Sequence, residues 1–418
     1  MKISEHRIGK FLVTEHLWEV PVNHDEPGET IALFAREITS SAGKTEAEVE
    51  ALPWLVFLQG GPGFEATRPM GSFGWVDRAA ENYRMLLLDQ RGTGRSSAVD
   101  VESLGVRGDA QHQADYLRHF RADGIVRDCE LVRQALGIEQ WSVLGQSFGG
   151  FCLLHYLSAF PTSLREGFFT GGVPPISRTP DEIYRATYGR MLARNVKYYE
   201  RYPQDVDRVR AILATLDDSN VYLPPGDCLT ARRYRTLGLA LGMSTGAEEV
   251  HYFVERGLDF YARRGIENAQ KWDINPIYQV LHESSYANGH ATRWSAHRLR
   301  AEFPQFDSMD VPFFTGEHVY PWQLTDWQRL QPLAEVAEIL AEEQWPVLYD
   351  PLRLSANTVP CAAAVYTDDP YVESTFSLEV SEQVPNMQLW VTDEHDHDAL
   401  RVAGTEVLNQ LFGLLHHT

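Results

Sequence analysis

Short apolar runs separated by glycine-rich turns dominate the first 175 residues. Residues 30–38 (TIALFAREI), 53–58 (PWLVFL) and 83–88 (YRMLLL) each read as a strand. They lack the strict alternation of a strand with one wet face, which is the pattern of strands covered on both sides. The second run ends in QGGPG and the third in DQRGTGRSS. A helix follows, because Ile125, Cys129, Val132 and Leu136 share one face and Gly137 can stop it. Residues 140–145 (QWSVLG) form a strand that runs into QSFGG, and FCLLHYLSAF then reads as a buried helix ended by Pro161. Residues 168–172 (FFTGG) give the next strand. Alternating strands and helices predict an α/β fold with a doubly wound, mostly parallel sheet, and chemistry at the carboxyl ends of its strands.

The pattern changes between residues 176 and 335, where Arg, Tyr and Glu are frequent and helical stretches replace short strands. Strand-like runs return at 361–369 (CAAAVYTDD) and 387–395 (MQLWVTDEH). An amphipathic helix with Val407, Leu408, Leu411 and Leu415 on one face closes the chain. The expected organisation is a core of residues 1–175 and 336–418 carrying an inserted helical cap, 176–335. No internal repeat is apparent.

Composition narrows the functional classes. Of 418 residues, 44% are hydrophobic and 23% charged, which is globular. With 37 basic against 58 acidic residues the net charge is −21, which argues against nucleic acid and anionic membrane surfaces as partners. The four cysteines, Cys129, Cys152, Cys228 and Cys361, form no CxxC pair and read as buried thiols. The first residues lack the apolar centre of a signal peptide, and no run reaches the ~18 apolar residues of a membrane span. A soluble, cytoplasmic protein is expected. No HExxH supports a metal and no GxGxxG a dinucleotide, so no cofactor is expected.

The chemistry-bearing motif is Gly145-Gln146-Ser147-Phe148-Gly149, a G-x-S-x-G between a predicted strand and a predicted helix. A sharp strand-to-helix turn lifts the serine hydroxyl to a helix N-terminus, and residues two positions either side must be small. Such a serine is activated by a histidine, which a carboxylate orients. One oxyanion donor is expected from the QGGPG loop at Gly61, and the other is the amide of Phe148. In this fold the acid and then the base follow the serine. Asp368 and Asp369 end one late strand and His395 and His397 follow the other, and spacing alone does not choose within either pair.

These segments together resemble proline iminopeptidases (prolyl aminopeptidases), most closely their larger bacterial form. The resemblance rests on GQSFGG, QGGPG and DQRGTGRS, and on YLRHFRADGIVRDCE, FTGGVPP, LHESSYA, GEHVYPW and YTDDPYV. It implies the α/β-hydrolase fold. The family's D-x-Y-V stretch falls on Asp369 to Val372 and its last motif on Asp393 to Arg401, which favours Asp369 as acid and His397 as base. In such enzymes cap carboxylates bind the substrate's free amine, and Glu283 and Glu317 fall at matching stretches. Gln59 stands where many members carry histidine, Pro370 replaces a residue with an N–H, and Ala399 replaces a glycine. These departures bear on substrate preference more than on the triad.

The expected activity is therefore release of N-terminal proline from short peptides through an acyl-enzyme on Ser147. An esterase, a broader aminopeptidase and a non-catalytic binding protein of the same fold are the alternatives.

Overall fold

The structure, a computed structural model, describes residues 1–72 and 74–416. Strands β1 (Lys2–Ile8), β2 (Phe11–Pro21), β3 (Thr30–Ser40), β4 (Trp54–Leu58), β5 (Arg84–Asp89), β6 (Trp141–Gln146), β7 (Leu164–Thr170), β8 (Cys361–Tyr366) and β9 (Met387–Thr392) form one sheet. Their order is β1-β2-β3-β5-β4-β6-β7-β8-β9. The first three strands and the β3–β5 pair are antiparallel, and every pairing from β5 onward to β9 is parallel. The predicted mostly parallel sheet is thus present, extended by an antiparallel edge. β1 is exposed along nearly its whole length, so no apolar run marks it in the sequence.

Alternate residues of each central strand point to opposite faces. Val56, Leu58, Leu86 and Leu88 pack on one side, with the helices Ala122–Ala135 and Phe148–Ala159. Leu55, Phe57, Met85 and Leu87 pack on the other, against the C-terminal helix Gly404–His416. Both faces are apolar, which is why the strands read as unbroken runs rather than alternations. Val407, Leu408 and Leu411 of the closing helix are fully buried, and Leu415 packs beside them. β7 begins at Leu164, earlier than the apolar run FFTGG indicates, because Arg165 breaks the run on an exposed position.

Between β7 and β8 the described residues form helices and no sheet strand. The longest, Pro180–Arg201, starts with a capping box between Thr179 and Glu182 and has proline in its first turn. Its Tyr184 and Tyr188, together with Ile277 and Tyr286, belong to the same apolar cluster as the sheet's first face. The cysteines are free, three of them buried.

Candidate active site

The carboxyl ends of β4, β6, β7, β8 and β9 converge on one cleft. Ser147 sits between β6 and the helix Phe148–Ala159 with φ 53° and ψ −119°. That region is unfavourable for a residue with a side chain, so surrounding structure must hold it. The Ser147 amide donates to the Thr170 carbonyl at 2.8 Å, and the Gly150 amide donates to the Ser147 carbonyl at 2.7 Å. A Cβ on Gly149 would overlap the Leu58 carbonyl, and one on Gly145 would overlap the Gly149 backbone. The two glycines of the motif are therefore steric requirements of the turn.

The glycine loop after β4 presses on the same turn. A Cβ on Gly60 would lie 3.1 Å from the Ser147 Cβ and would overlap the Gln146 side chain. Gly61 lines the cleft beside Gln59 and Gly60. Phe148 opens the helix that follows Ser147, so its amide has no helical acceptor. Gln90 ties the loop down, its Nε2 donating to the Gln59 carbonyl at 3.0 Å. The Asp89 carboxylate accepts from the amides of Ala66 at 3.1 Å and Arg95 at 3.0 Å, linking the two glycine-rich loops.

The structure brings Asp369 and His397 together, with Oδ2 2.6 Å from Nδ1. The other oxygen, Oδ1, accepts from the amides of Tyr371 at 2.8 Å and Val372 at 3.1 Å. Pro370 costs the site nothing, because the supporting amides come from the two residues after it. The His397 ring lies edge-on to Tyr371, with centroids 4.7 Å apart. On another side the ring abuts Gly171, where a Cβ would stand 3.0 Å from Cε1; Gly171 has φ +76° and follows the Thr170 that anchors Ser147. Burial disfavours the imidazolium, but the Asp369 charge and hydrogen bond outweigh it, with Glu317 adding to them, and His397 is held above the ordinary imidazole range. Asp368 instead pairs with Lys197 at the surface. His395 packs against Tyr366 and Trp390, with Nε2 3.5 Å from Glu406.

Ser147, His397 and Glu317 line one cleft of about 330 Å³. Its wall is aromatic: Trp272 stacks on Tyr278 at 4.8 Å, and Phe64 meets Tyr278 edge-on at 5.8 Å. Glu317 accepts from the Tyr278 hydroxyl at 2.8 Å and lies 3.4 Å from His282 Nε2. Burial pushes its carboxyl up, but His282, His397 and the Tyr278 hydroxyl together hold it below the ordinary range. The environment of Glu317, which lines the cleft, favours its charged form.

Glu283 is placed differently. Its carboxylate accepts from the amides of Ser295 at 3.0 Å and Ala296 at 2.9 Å, at the start of the short helix Ser295–Leu299. It is not among the described residues that line the cleft. Burial pushes its carboxyl up to about 7. The neighbour His282 is the residue of LHESSYA that reaches the cleft's chemistry, through Glu317. Sequence reasoning missed His282, Trp272 and Tyr278, since nothing local distinguishes them from core aromatics and histidines. Among the described residues no group of His, Cys, Asp and Glu is arranged to hold a metal, and no helix is long and apolar enough to cross a membrane.

The α/β-hydrolase fold family matches residues 53–400. That defines the class: an α/β hydrolase. A proline iminopeptidase of Aeromonas sobria is 43% identical over 411 residues, covering 96% of this chain and 95% of that protein. A proline iminopeptidase of Aspergillus aculeatus is 38% identical over 434 residues, covering 99% of this chain and 96% of that protein. A probable proline iminopeptidase of Streptomyces coelicolor is 38% identical over only 33% of this chain. The chain belongs to the proline iminopeptidase family.

Proposed function

We propose that this protein is a serine aminopeptidase that releases N-terminal proline from short peptides. Ser147 Oγ attacks the carbonyl carbon of the first residue while His397 Nε2 takes its proton. Asp369 holds the opposite ring nitrogen and stabilises the imidazolium that forms. The amides of Gly61 and Phe148 receive the oxyanion. His397 then returns the proton to the departing amine. In the second half, His397 takes a proton from water, the resulting hydroxide attacks the acyl carbon, and proline leaves as Ser147 is restored.

The observation that carries this reading is the Glu317 carboxylate in the same cleft as Ser147 and His397. A carboxylate there pairs with a protonated amine when that amine lies one residue from the scissile bond, which makes the enzyme an exopeptidase. Phe64, Trp272 and Tyr278 offer apolar surface to a pyrrolidine ring. Glu283 acts at a remove, by fixing the helix start behind the cleft. Residues 176–335 serve as the cap that closes over the substrate, and the enzyme works in the cytoplasm.

The test compares prolyl β-naphthylamide with its N-acetyl derivative. Leaving a buried carboxylate unpaired costs several kcal/mol, so the acetylated compound should react at least about 100-fold more slowly. Equal rates would overturn the assignment of Glu317.

A further inference from the structure

We propose that Arg401 and Lys271 form a second recognition point, a subsite for the C-terminal carboxylate of a short peptide, on the leaving-group side of the cleft. The proposal deepens the aminopeptidase reading and rests on it. The cleft that holds Ser147 continues into an outer hollow, and Phe64, Met243, Trp272 and Arg401 line both. A peptide whose first residue sits against Glu317 must send the rest of its chain outward, and this hollow adjoins the cleft.

The charges at its mouth favour an anion. The Arg401 side chain is 72% exposed, and its nearest carboxylate, Asp398, is 3.5 Å away. Its other polar contact among the described residues is the Met243 sulfur at 3.7 Å. Most of a guanidinium's five donors therefore face the hollow or solvent. Lys271 is exposed on the same hollow and forms no ion pair among the described residues. The two acids nearby are already engaged. Asp398 accepts from the Ser244 amide at 2.9 Å and its hydroxyl at 2.6 Å, and Glu65 pairs with Arg68 at 2.5 Å.

Arg401 and Lys271 bring two exposed cations to this hollow on a chain with a net charge of −21, and among the described residues only Arg401 of the two has a carboxylate within 4 Å, the long Asp398 contact. With the Glu317 anion deep in the cleft and these cations at its outer end, the site carries the opposite polarity to a zwitterionic peptide, amine inward and carboxylate outward. Such complementarity selects substrates by their free C-terminus.

The experiment measures kcat/KM for Pro-Gly against Pro-Gly-amide, and Pro-Gly-Gly against its amide. Wild type, Arg401→Gln, Arg401→Lys, Lys271→Gln and the double glutamine variant are compared. Wild type should prefer the free acids, and each glutamine substitution should reduce that preference roughly fivefold, as expected for a solvent-facing charge pair. Arg401→Lys should retain most of it, and the double variant should treat acid and amide alike. A wild type indifferent to the carboxylate overturns the proposal, as does a preference that survives in the double variant. If Arg401 only supports the loop that carries His397, its substitution will slow acid and amide equally and leave the ratio unchanged, which also overturns the proposal. Prolyl β-naphthylamide separates the two layers. If wild type cleaves it but ignores the carboxylate, only the subsite fails; if wild type cleaves no prolyl substrate, the aminopeptidase reading itself falls and takes the subsite with it.

Discussion

Asp369 Oδ2 stands 2.6 Å from His397 Nδ1, and the acid's other oxygen is held by two backbone amides. The acid is thus fixed before it acts on the base, and the ring tautomer is set with Nε2 free to accept a proton. Asp369→Asn keeps the shape and removes the charge. It should lower kcat on prolyl β-naphthylamide by about 10⁴-fold, the size seen when a triad carboxylate is neutralised. KM should change little, because Asp369 lies behind His397 and off the cleft wall. A loss confined to KM would show that the carboxylate serves binding instead.

The same pair sets the acid limb of the pH profile. Only neutral His397 can take the Ser147 proton, and Asp369 and Glu317 raise its pKa above the ordinary 6.5. Activity should therefore rise with pH through a midpoint above 6.5 and not below it. In Asp369→Asn the main raising influence is gone, so the residual activity should have its midpoint moved to lower pH. Glu317→Gln should shift it the same way by less. The measurement is kcat/KM against pH for the three proteins, and a midpoint indifferent to Asp369 would contradict the charge argument.

Glu317 and Glu283 should separate cleanly in kinetics. Glu317→Gln leaves a neutral acceptor in the cleft and removes the partner of the substrate amine. It should lower kcat/KM for prolyl β-naphthylamide by about 100-fold or more, the cost of an uncompensated buried charge. The loss should be much smaller for a prolyl analogue without the amine. Glu283→Gln should leave kcat/KM within about threefold, since its carboxylate faces the Ser295 and Ala296 amides. Comparable losses in both variants would mean that the cleft is organised differently.

How far the site could be read from the chain follows from how local each constraint is. Ser147 is legible because the turn leaves its mark in a short motif: the clashes a Cβ would make at Gly145 and Gly149 are why glycine stands at both positions. The acid and base are less legible. Asp368 and Asp369 are neighbours, yet one reaches Lys197 at the surface and the other is fully buried against His397. That difference is decided by how the chain turns after β8, and family resemblance rather than spacing favours the members of the two pairs that lie together in the structure. The acidic corner of the cleft is least legible, since Glu317, His282 and Tyr278 meet only through the folding of the helical segment. In LHESSYA attention falls on the carboxylate, whereas the side chain that touches Glu317 is the histidine before it. β1 escapes notice because an exposed edge strand needs no apolar run.

Glu283 also makes a prediction about stability. Its carboxyl is pushed from 4.5 up to about 7 in the folded protein, chiefly by burial, with the Ala296 and Ser295 amides working against the shift. A raised folded pKa means the native state binds this proton more tightly than the unfolded chain does. The stabilisation is fully present below about pH 4.5 and is lost as pH rises through 7. A shift of this size corresponds to about 3 kcal/mol. Glu283→Gln carries no titrating proton and so lacks this pH dependence. Wild type should therefore lose stability relative to Glu283→Gln between pH 5 and pH 8. His397, held above the ordinary imidazole range, is common to both proteins, so it cancels in the difference. Thermal or urea unfolding of the two at pH 5, 6, 7 and 8 gives that difference directly, and a gap that stays constant with pH would show that Glu283 is ionised throughout and that the amides of Ser295 and Ala296 outweigh its burial.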